Sequence, residues 1–165
     1  MVERPDKFDS LRIIIGVWNF DVFVVSEFIR VKGVGNDSLQ IAGYQMFRLD
    51  WDYPGESPND GGLLVYVRDV IACRLVRSEN RPLHNDFGMR VSLLQFIEVE
   101  LTIGFDVVSI VAVDNPPWGG HAAAMQLLLH EYRNHNPRII FLGDINVDIH
   151  GNANAHHVRQ FWRLN

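Results

Sequence analysis

Arg138-Ile-Ile-Phe-Leu-Gly-Asp-Ile-Asn-Val-Asp148 is the stretch of the sequence that most clearly predicts both a fold and a function. The apolar run from Ile139 to Leu142, closed by a glycine, is typical of a short strand buried on both faces. The polar residues of Gly143-Asp-Ile-Asn146 then follow the carboxyl end of that strand, which is where open α/β sheets bind ligands. In an extended chain, Asp144 and Asn146 project to the same side. They offer an acceptor or general base and a neutral amide donor, a pair suited to a water molecule and a phosphate oxygen.

A second apolar run also ends in a carboxylate. Phe20-Asp-Val-Phe-Val-Val-Ser-Glu27 is rich in β-branched residues and predicts a strand that ends near Glu27. Both strand ends have an alternative interpretation. Asp144 and Asn146 are ordinary turn residues, and Glu27 could be a solvent-facing strand end.

The composition predicts one ordinary globular domain spanning residues 1–165, with 47% hydrophobic and 21% charged residues. The net charge of −5 gives no basic field of the kind that favours nucleic acid, although a metal site needs carboxylates. Cys73 is the only cysteine, and the charged N-terminal residues do not resemble a signal peptide. We therefore expect an intracellular protein, nuclear or cytoplasmic and not secreted, without a membrane span.

The periodicity along the chain predicts an α/β (α+β) fold with a packed pair of sheets. Val91 to Leu101 alternates, with Phe96, Val99 and Leu101 on an apolar side and Gln95 on a polar side, as in a half-buried strand. Ser78 to Gly88 is predicted to be a polar connection. Helices are predicted at Lys7–Val17, Gly120–Asn134 and Asn154–Leu164, and further strands at Tyr44–Arg48, Gly61–Val67, Asp69–Val76 (continuing or pairing with the previous strand) and Phe105–Val113.

Taken in order, several segments resemble the endonuclease/exonuclease/phosphatase superfamily, and most of all the apurinic-type endonuclease domain of non-LTR retrotransposons. The resemblance extends over nearly the whole chain and depends on the order and spacing of its segments. These segments are Lys7–Arg12, Phe20–Glu27, Gly43-Tyr44 with Arg48-Leu-Asp50, Gly61–Arg68, Asn115-Pro-Pro117 and Gly143-Asp-Ile-Asn146.

The resemblance implies a DNase I-like fold of two packed mixed β-sheets flanked by helices, and cleavage of a DNA phosphodiester with bound Mg²⁺ or Mn²⁺. It implies that Glu27 is a metal ligand, that Asp144 orients or deprotonates the attacking water, and that Asn146 hydrogen-bonds the scissile phosphate. Hard oxygen ligands suit Mg²⁺, which is often held by only one or two carboxylates. The possible substrate-contacting residues are Arg48, Asp50 and Asn115.

The sequence also departs from the family pattern. We expect the domain to lack the Asn-bearing first strand and the terminal Ser-Asp-His strand of the family, and Asp114 occupies the position of the tyrosine in the family's Pro-Pro turn. Because catalytic groups act as a unit, a degenerate, non-catalytic relict that serves at most as a binding module is the alternative function. A related branch acting on phospholipids or inositol phosphates is disfavoured by the Gly43-Tyr44 to Gly62 segment.

Other site types fit the sequence less well. His150, His156 and His157 do not have zinc-finger spacing. Gly61-Gly62 lacks the Lys and Ser/Thr of a P-loop. The scattered tryptophans could stack on bases, but such residues are more often packing or surface residues.

Overall fold

The computed structural model describes residues 5–26, 35–51, 62–84, 88, 90–115, 121–132 and 138–145. Within these ranges no helix is long and apolar enough to cross a membrane. The elements are α1 (Pro5–Trp18), β1 (Val22–Val25), α2 (Asn36–Leu39), β2 (Tyr44–Asp50), β3 (Gly62–Arg68), β4 (Ala72–His84), β5 (Arg90–Ile103), β6 (Asp106–Asp114), α3 (His121–Tyr132) and β7 (Ile139–Asp144).

The described strands form two sheets. The first sheet is antiparallel and has the order β1-β3-β2. The second has the order β4-β5-β6-β7, in which β6 and β7 are parallel and the other pairs are antiparallel. Parallel neighbours need a crossover connection, and α3 lies in the connection between β6 and β7. The carboxyl ends of β6 and β7 consequently meet at one end of the second sheet.

The sheets pack face to face because alternate residues of each strand are apolar on the inner side. This inner core contains Leu63, Val65 and Val67 of β3, Ile97, Val99 and Leu101 of β5, and Ile110 and Ala112 of β6.

Helices cover the two outer faces. Ile15 of α1 packs with Tyr44 and Tyr66 on the first sheet, and Met125 and Leu128 of α3 pack on the second. The structure is therefore a two-sheet sandwich flanked by helices, and the fold class predicted from the sequence is confirmed.

The prediction for β4 was wrong. The chain turns after Arg68 and crosses to the second sheet, where β4 pairs with β5 as far as His84 and does not pair with β3. The predicted polar connection is thus largely strand, because its polar side chains find partners in the fold: the Arg81 guanidinium lies over the Phe96 ring at 5.2 Å. Pro82 is tolerated because β4 is the outermost strand of its sheet in the described part of the chain.

Two further details differ from the predictions. The strand at Ile139 was predicted to be buried on both faces, whereas β7 is half-buried and Ile140 is 48% exposed. The predicted loop at Gly33–Asp37 gives way to the one-turn helix α2, which begins at Asn36. The predicted helix at Asn154–Leu164 lies outside the described residues.

Candidate functional site

The carboxyl ends of β6 and β7 lie side by side at the site. In the parallel register Asp114 is the neighbour of Asp144. Asn115 fastens the two ends together: its backbone N–H donates to the Asp144 carbonyl oxygen at 2.9 Å, and its side-chain Nδ2 donates to the Ile145 carbonyl oxygen at 2.9 Å. Asn115 is fully buried. The structure therefore gives Asn115 the geometry of a residue that holds the end of β7 in place, and the substrate contact suggested for it stays a prediction.

Gly143 determines the path of the chain into Asp144. Its φ of +119° lies in a region that side-chain-bearing residues avoid, and a Cβ added there would lie 2.1 Å from the Val113 carbonyl oxygen. Phe141 and Ile145 pack on the α3 side of the sheet, while Leu142 packs in the inner core. The alternation therefore places Asp144 on the inner face, toward the space between the sheets.

A row of four polar residues crosses the inner face of the second sheet at this end. Asn80 of β4 lies opposite Gln95 of β5, Gln95 lies opposite Asp114 of β6, and Asp114 lies beside Asp144 of β7. We call these four residues the polar row. Gln95 is completely buried and Asp114 is 5% exposed, so the two central residues of the row are shielded from solvent.

One hydrogen bond ties the polar row to the first sheet, and a second joins Asn80 to Gln95 within the row. Asn80 Nδ2 donates to the backbone carbonyl oxygen of Asp50 at 3.0 Å. Gln95 Nε2 donates to Asn80 Oδ1 at 2.6 Å. The end of β2 is thereby fixed beside the end of the second sheet that carries Asp144. We call this end of the sandwich the polar end.

Asn80 was not predicted as a site residue, and Gln95 was predicted on the wrong face of its strand. The alternation of β5 suggested that Gln95 faces solvent opposite Phe96, but β5 is buried on both faces, and Gln95 lies on the inner side in phase with Ile97 and Val99. The spacing of Gln95, Ile97 and Val99 could have predicted this position, because residues two apart in a strand share a face. Asn80 offered no comparable signal.

Two of the predicted site residues, Glu27 and Asn146, lie outside the described residues. Their neighbours in sequence are informative. β1 ends at Val25, which pairs with Leu64 near the start of β3, while Asp50 pairs with Gly62. The carboxyl ends of β1 and β2 therefore share one edge of the first sheet, at the polar end.

Arg48 and Asp50 are oriented differently from Asp144. Phe47 and Leu49 face the inner core, so the Arg48 and Asp50 side chains lie on the outer face of the first sheet. There Arg48 Nε pairs with Asp50 Oδ1 at 2.5 Å, and Arg48 Nη1 donates to Asn36 Oδ1 at 3.0 Å. The structure brings only the backbone carbonyl of Asp50 to the polar row. A substrate contact by either side chain stays a prediction.

The donor chemistry of the polar end fits a hard divalent cation. Asp114 and Asp144 supply carboxylates on neighbouring strands, and Gln95 Oε1 is a buried amide oxygen with no hydrogen-bond partner among the described residues. Mg²⁺ takes such oxygen ligands and is commonly held by one or two carboxylates. In the ranges described there is no cluster of three or more His, Cys, Asp and Glu residues that could hold a metal. The histidines considered for zinc, His150, His156 and His157, lie outside those ranges.

The face behind the site is held by charges and aromatic rings. Tyr132 of α3 donates to Glu98 Oε2 at 2.6 Å, and Arg77 Nη2 donates to the Tyr132 hydroxyl at 3.1 Å. Burial and the hydrogen bond to Glu98 raise the pKa of Tyr132. Burial alone would raise the pKa of Glu131, but hydrogen bonds and charge from Arg81 and Arg77 outweigh it, so that this pKa is lowered. These contacts fix α3 on the second sheet, and with it the connection that places β7 beside β6.

Comparison with known structures identifies the fold. The alignment with D. rerio TDP2 complexed with a single-strand DNA product has a TM-score of 0.67 at 12% identity and covers 96% of this chain and 60% of that one. The chain has the endonuclease/exonuclease/phosphatase fold. A Bacteroides thetaiotaomicron protein of that family matches with a TM-score of 0.66 at 14% identity over 94% of this chain and 60% of that one.

Two further structures share this fold. The catalytic domain of human Nocturnin, with a bound sulfate anion, matches with a TM-score of 0.64 at 16% identity over 92% of this chain and 60% of that one. A mannosyl-6-phosphatase from Bacteroides thetaiotaomicron matches with a TM-score of 0.65 at 13% identity over 94% of this chain and 62% of that one. This chain thus spans about 60% of the length of these structures. No family model matches the sequence, and no curated protein matches it.

Proposed function

We propose that this chain carries the metal-binding and water-activating part of a phosphodiesterase acting on DNA, resembling a retrotransposon endonuclease. The observation that carries the proposal is the position of Asp144: it follows Gly143 at the carboxyl end of β7, on the inner face and beside Asp114. The TDP2 structure solved with a single-strand DNA product supports DNA as the substrate class.

The proposed roles follow the resemblance. Asp144 orients the attacking water or accepts its proton, since an ionised carboxylate is an acceptor only. Asn146, two residues further along the chain, donates a hydrogen bond to a phosphate oxygen without adding negative charge. Glu27, which follows β1 in the sequence, provides a hard oxygen ligand for Mg²⁺ or Mn²⁺.

When bound, the cation supplies the positive charge that offsets the phosphate and lowers the pKa of a water. This matters because the chain has a net charge of −5. Asn115 holds the end of β7 at Asp144 through its two hydrogen bonds. An intracellular site of action, nuclear or cytoplasmic, accompanies the proposal as a prediction from the sequence.

Nicking of a supercoiled plasmid in Mg²⁺ or Mn²⁺ tests the proposal. We expect the wild-type chain to nick the plasmid and EDTA to stop the reaction. Asp144→Ala should lower the rate by about a thousand-fold or more, because catalytic groups act together. Asp21→Asn is the matched control: this carboxylate is 72% exposed and pairs with Arg68 at the start of β1. Equal nicking by wild type and Asp144→Ala, or none by wild type, would overturn the proposal.

A non-catalytic binding module is the second candidate, and Asp114 favours it. The resemblance expects a tyrosine hydroxyl at this position, which could donate to a phosphate, whereas Asp114 adds a carboxylate next to Asp144. Binding of labelled single-stranded DNA with no nicking, unaffected by Asp144→Ala, would support this candidate.

A further inference from the structure

The orientation of the Gln95 amide is fixed from the first sheet. The Asp50 carbonyl oxygen can only accept, so the atom of Asn80 that faces it must be the donor, Nδ2. Asn80 Oδ1 therefore accepts from Gln95, and the atom that Gln95 presents to Asn80 is Nε2. Because the nitrogen and oxygen of a planar amide point in different directions, Gln95 Oε1 is turned away from Asn80 of β4, and the neighbour of Gln95 on its other side is Asp114 of β6.

This arrangement directs a buried acceptor toward other acceptors. Gln95 is completely buried, and its Oε1 has no hydrogen-bond partner in the part of the chain that the structure describes. Buried polar atoms in folded proteins normally have a partner. The next residues of the row, Asp114 and Asp144, are carboxylates on strands that lie about 4.8 Å apart. An amide oxygen and two ionised carboxylates accept hydrogen bonds and do not donate them, and a cation is a partner that all three groups can share.

We propose that Gln95 Oε1 and the carboxylates of Asp114 and Asp144 together bind one divalent cation, Mg²⁺ or Mn²⁺. The inference rests on the proposed function, because Asp144 belongs to both. It also accounts for the carboxylate at position 114: a tyrosine hydroxyl donates directly to a phosphate, whereas Asp114 contributes through the ion that it holds. The Asn80–Gln95 pair acts as a positioning element, since it turns the amide oxygen toward the ion.

A titration of the full 165-residue chain with Mn²⁺ alone tests this site without using activity. The binding is measured as the loss of the free Mn²⁺ signal in electron paramagnetic resonance. We expect Asp114→Asn to weaken Mn²⁺ binding by at least about ten-fold and Asp114→Glu to restore most of it. Gln95→Met keeps the length of the side chain and removes the oxygen, and should weaken binding by a smaller factor. Asp21→Asn, at the other end of the sandwich, should bind Mn²⁺ as the wild type does.

Circular dichroism and thermal melting of each variant in EDTA separate loss of the site from loss of the fold. Folded Asp114→Asn that binds Mn²⁺ as tightly as wild type would overturn the proposal. If Asp114→Asn fails to fold, folded Gln95→Met with wild-type affinity would overturn it equally.

The two proposals fail in different ways. If Mn²⁺ binding depends on Asp114 but the chain does not nick DNA, the proposed ion site is supported and the proposed activity is contradicted. If nicking depends on Asp144 but Mn²⁺ binding does not depend on Asp114, the proposed activity is supported and this ion site is contradicted.

Discussion

The two ends of the space between the sheets are formed by the same strands but bury different chemistry. The polar end buries Gln95 and Asp114 and is fastened by the Asn80 hydrogen bonds. The other end, which we call the apolar end, contains the β3–β4 turn and the β5–β6 hairpin, and opens into a cleft of about 680 Å³. Residues lining this cleft include Val22, Ile71, Leu101, Ile110, Ile140 and Leu142.

The difference concerns precision. Hydrophobic contacts are non-directional, so the apolar end is stabilised by area removed from water and tolerates small changes in shape. Hydrogen bonds have preferred distances and angles, so the polar end holds its side chains in one arrangement. A protein that has to place oxygen atoms around an ion or a phosphate needs the second kind of order. The comparison therefore predicts that changes at the polar end alter both stability and activity, whereas changes at the apolar end alter stability alone.

Two glycines, one at each end, give the largest expected contrast. Gly143→Ala at the polar end should lower the free energy of unfolding by about 3 kcal/mol or more, because it adds backbone strain to a clash with the Val113 carbonyl. Gly104→Ala at the apolar end also has a positive φ, of +63°, but has no atom within 4 Å of the added Cβ. It should cost only about 1–2 kcal/mol. Urea denaturation of both variants measures the difference, and equal costs would contradict the crowding at Gly143.

A core truncation at the apolar end should separate stability from function. Leu101 is 3% exposed and lines the cleft. Leu101→Ala should destabilise the protein by about 2–3 kcal/mol, near the lower end for such changes, because the open cleft already limits the packing around it. The rate of plasmid nicking by the folded fraction should stay that of wild type. A loss of rate would show that the two ends are coupled.

The matched substitution at the polar end should lower the free energy of unfolding less than Leu101→Ala does, and should lower Mn²⁺ binding and nicking more. Asn80→Ala removes the hydrogen bond to the Asp50 carbonyl, which joins the two sheets, and the hydrogen bond from Gln95 within the second sheet. It should cost about 1–2 kcal/mol. Because the Gln95 amide is then no longer oriented, Mn²⁺ binding should weaken together with nicking. Wild-type Mn²⁺ affinity in Asn80→Ala would argue against a positioning role.

The smallest effect is expected at Cys73, whose strand leads away from the β3–β4 turn. Burial, and then the charge of Asp69, raise the pKa of the Cys73 thiol. The thiolate is the reactive form, so at pH 8 Cys73 should react with a disulfide reagent more slowly than an ordinary thiol, and the rate should keep rising at higher pH. Asp69→Asn should lower the pKa and speed the reaction at pH 8 by no more than a few-fold. A pH profile of the labelling rate checks this, and a slower reaction in Asp69→Asn would contradict it.

Local patterns predicted most of the strands because the pattern of a strand lies in adjacent residues. The apolar run from Ile139 to Leu142 does form a strand, but β7 continues through Gly143 to Asp144, two residues beyond its predicted end. The full extent of β4 was missed because its polar residues are satisfied by distant partners. Arg77 lies over Phe96, and Arg81 pairs with Glu131 of α3 at 2.9 Å.

The same reason explains the polar row. A polar residue in an alternating strand is ordinarily assigned to the solvent side, and Gln95 received that assignment. Its burial depends on Asn80, and the orientation of Asn80 depends in turn on a backbone carbonyl in the other sheet. No single segment contains that information.

The hydrogen bond from Asn80 to the Asp50 carbonyl has a consequence for the order of assembly. Either sheet can pair its own strands before the other is in place. The Gln95 amide is held in one orientation only after the two sheets have docked, because the Asn80 hydrogen bond to Asp50 forms then. We therefore expect the ion-binding arrangement to form late in folding, because it depends on contacts between segments that are far apart in the sequence. Native-state hydrogen exchange should accordingly detect partly open forms that keep both sheets and have already lost the site.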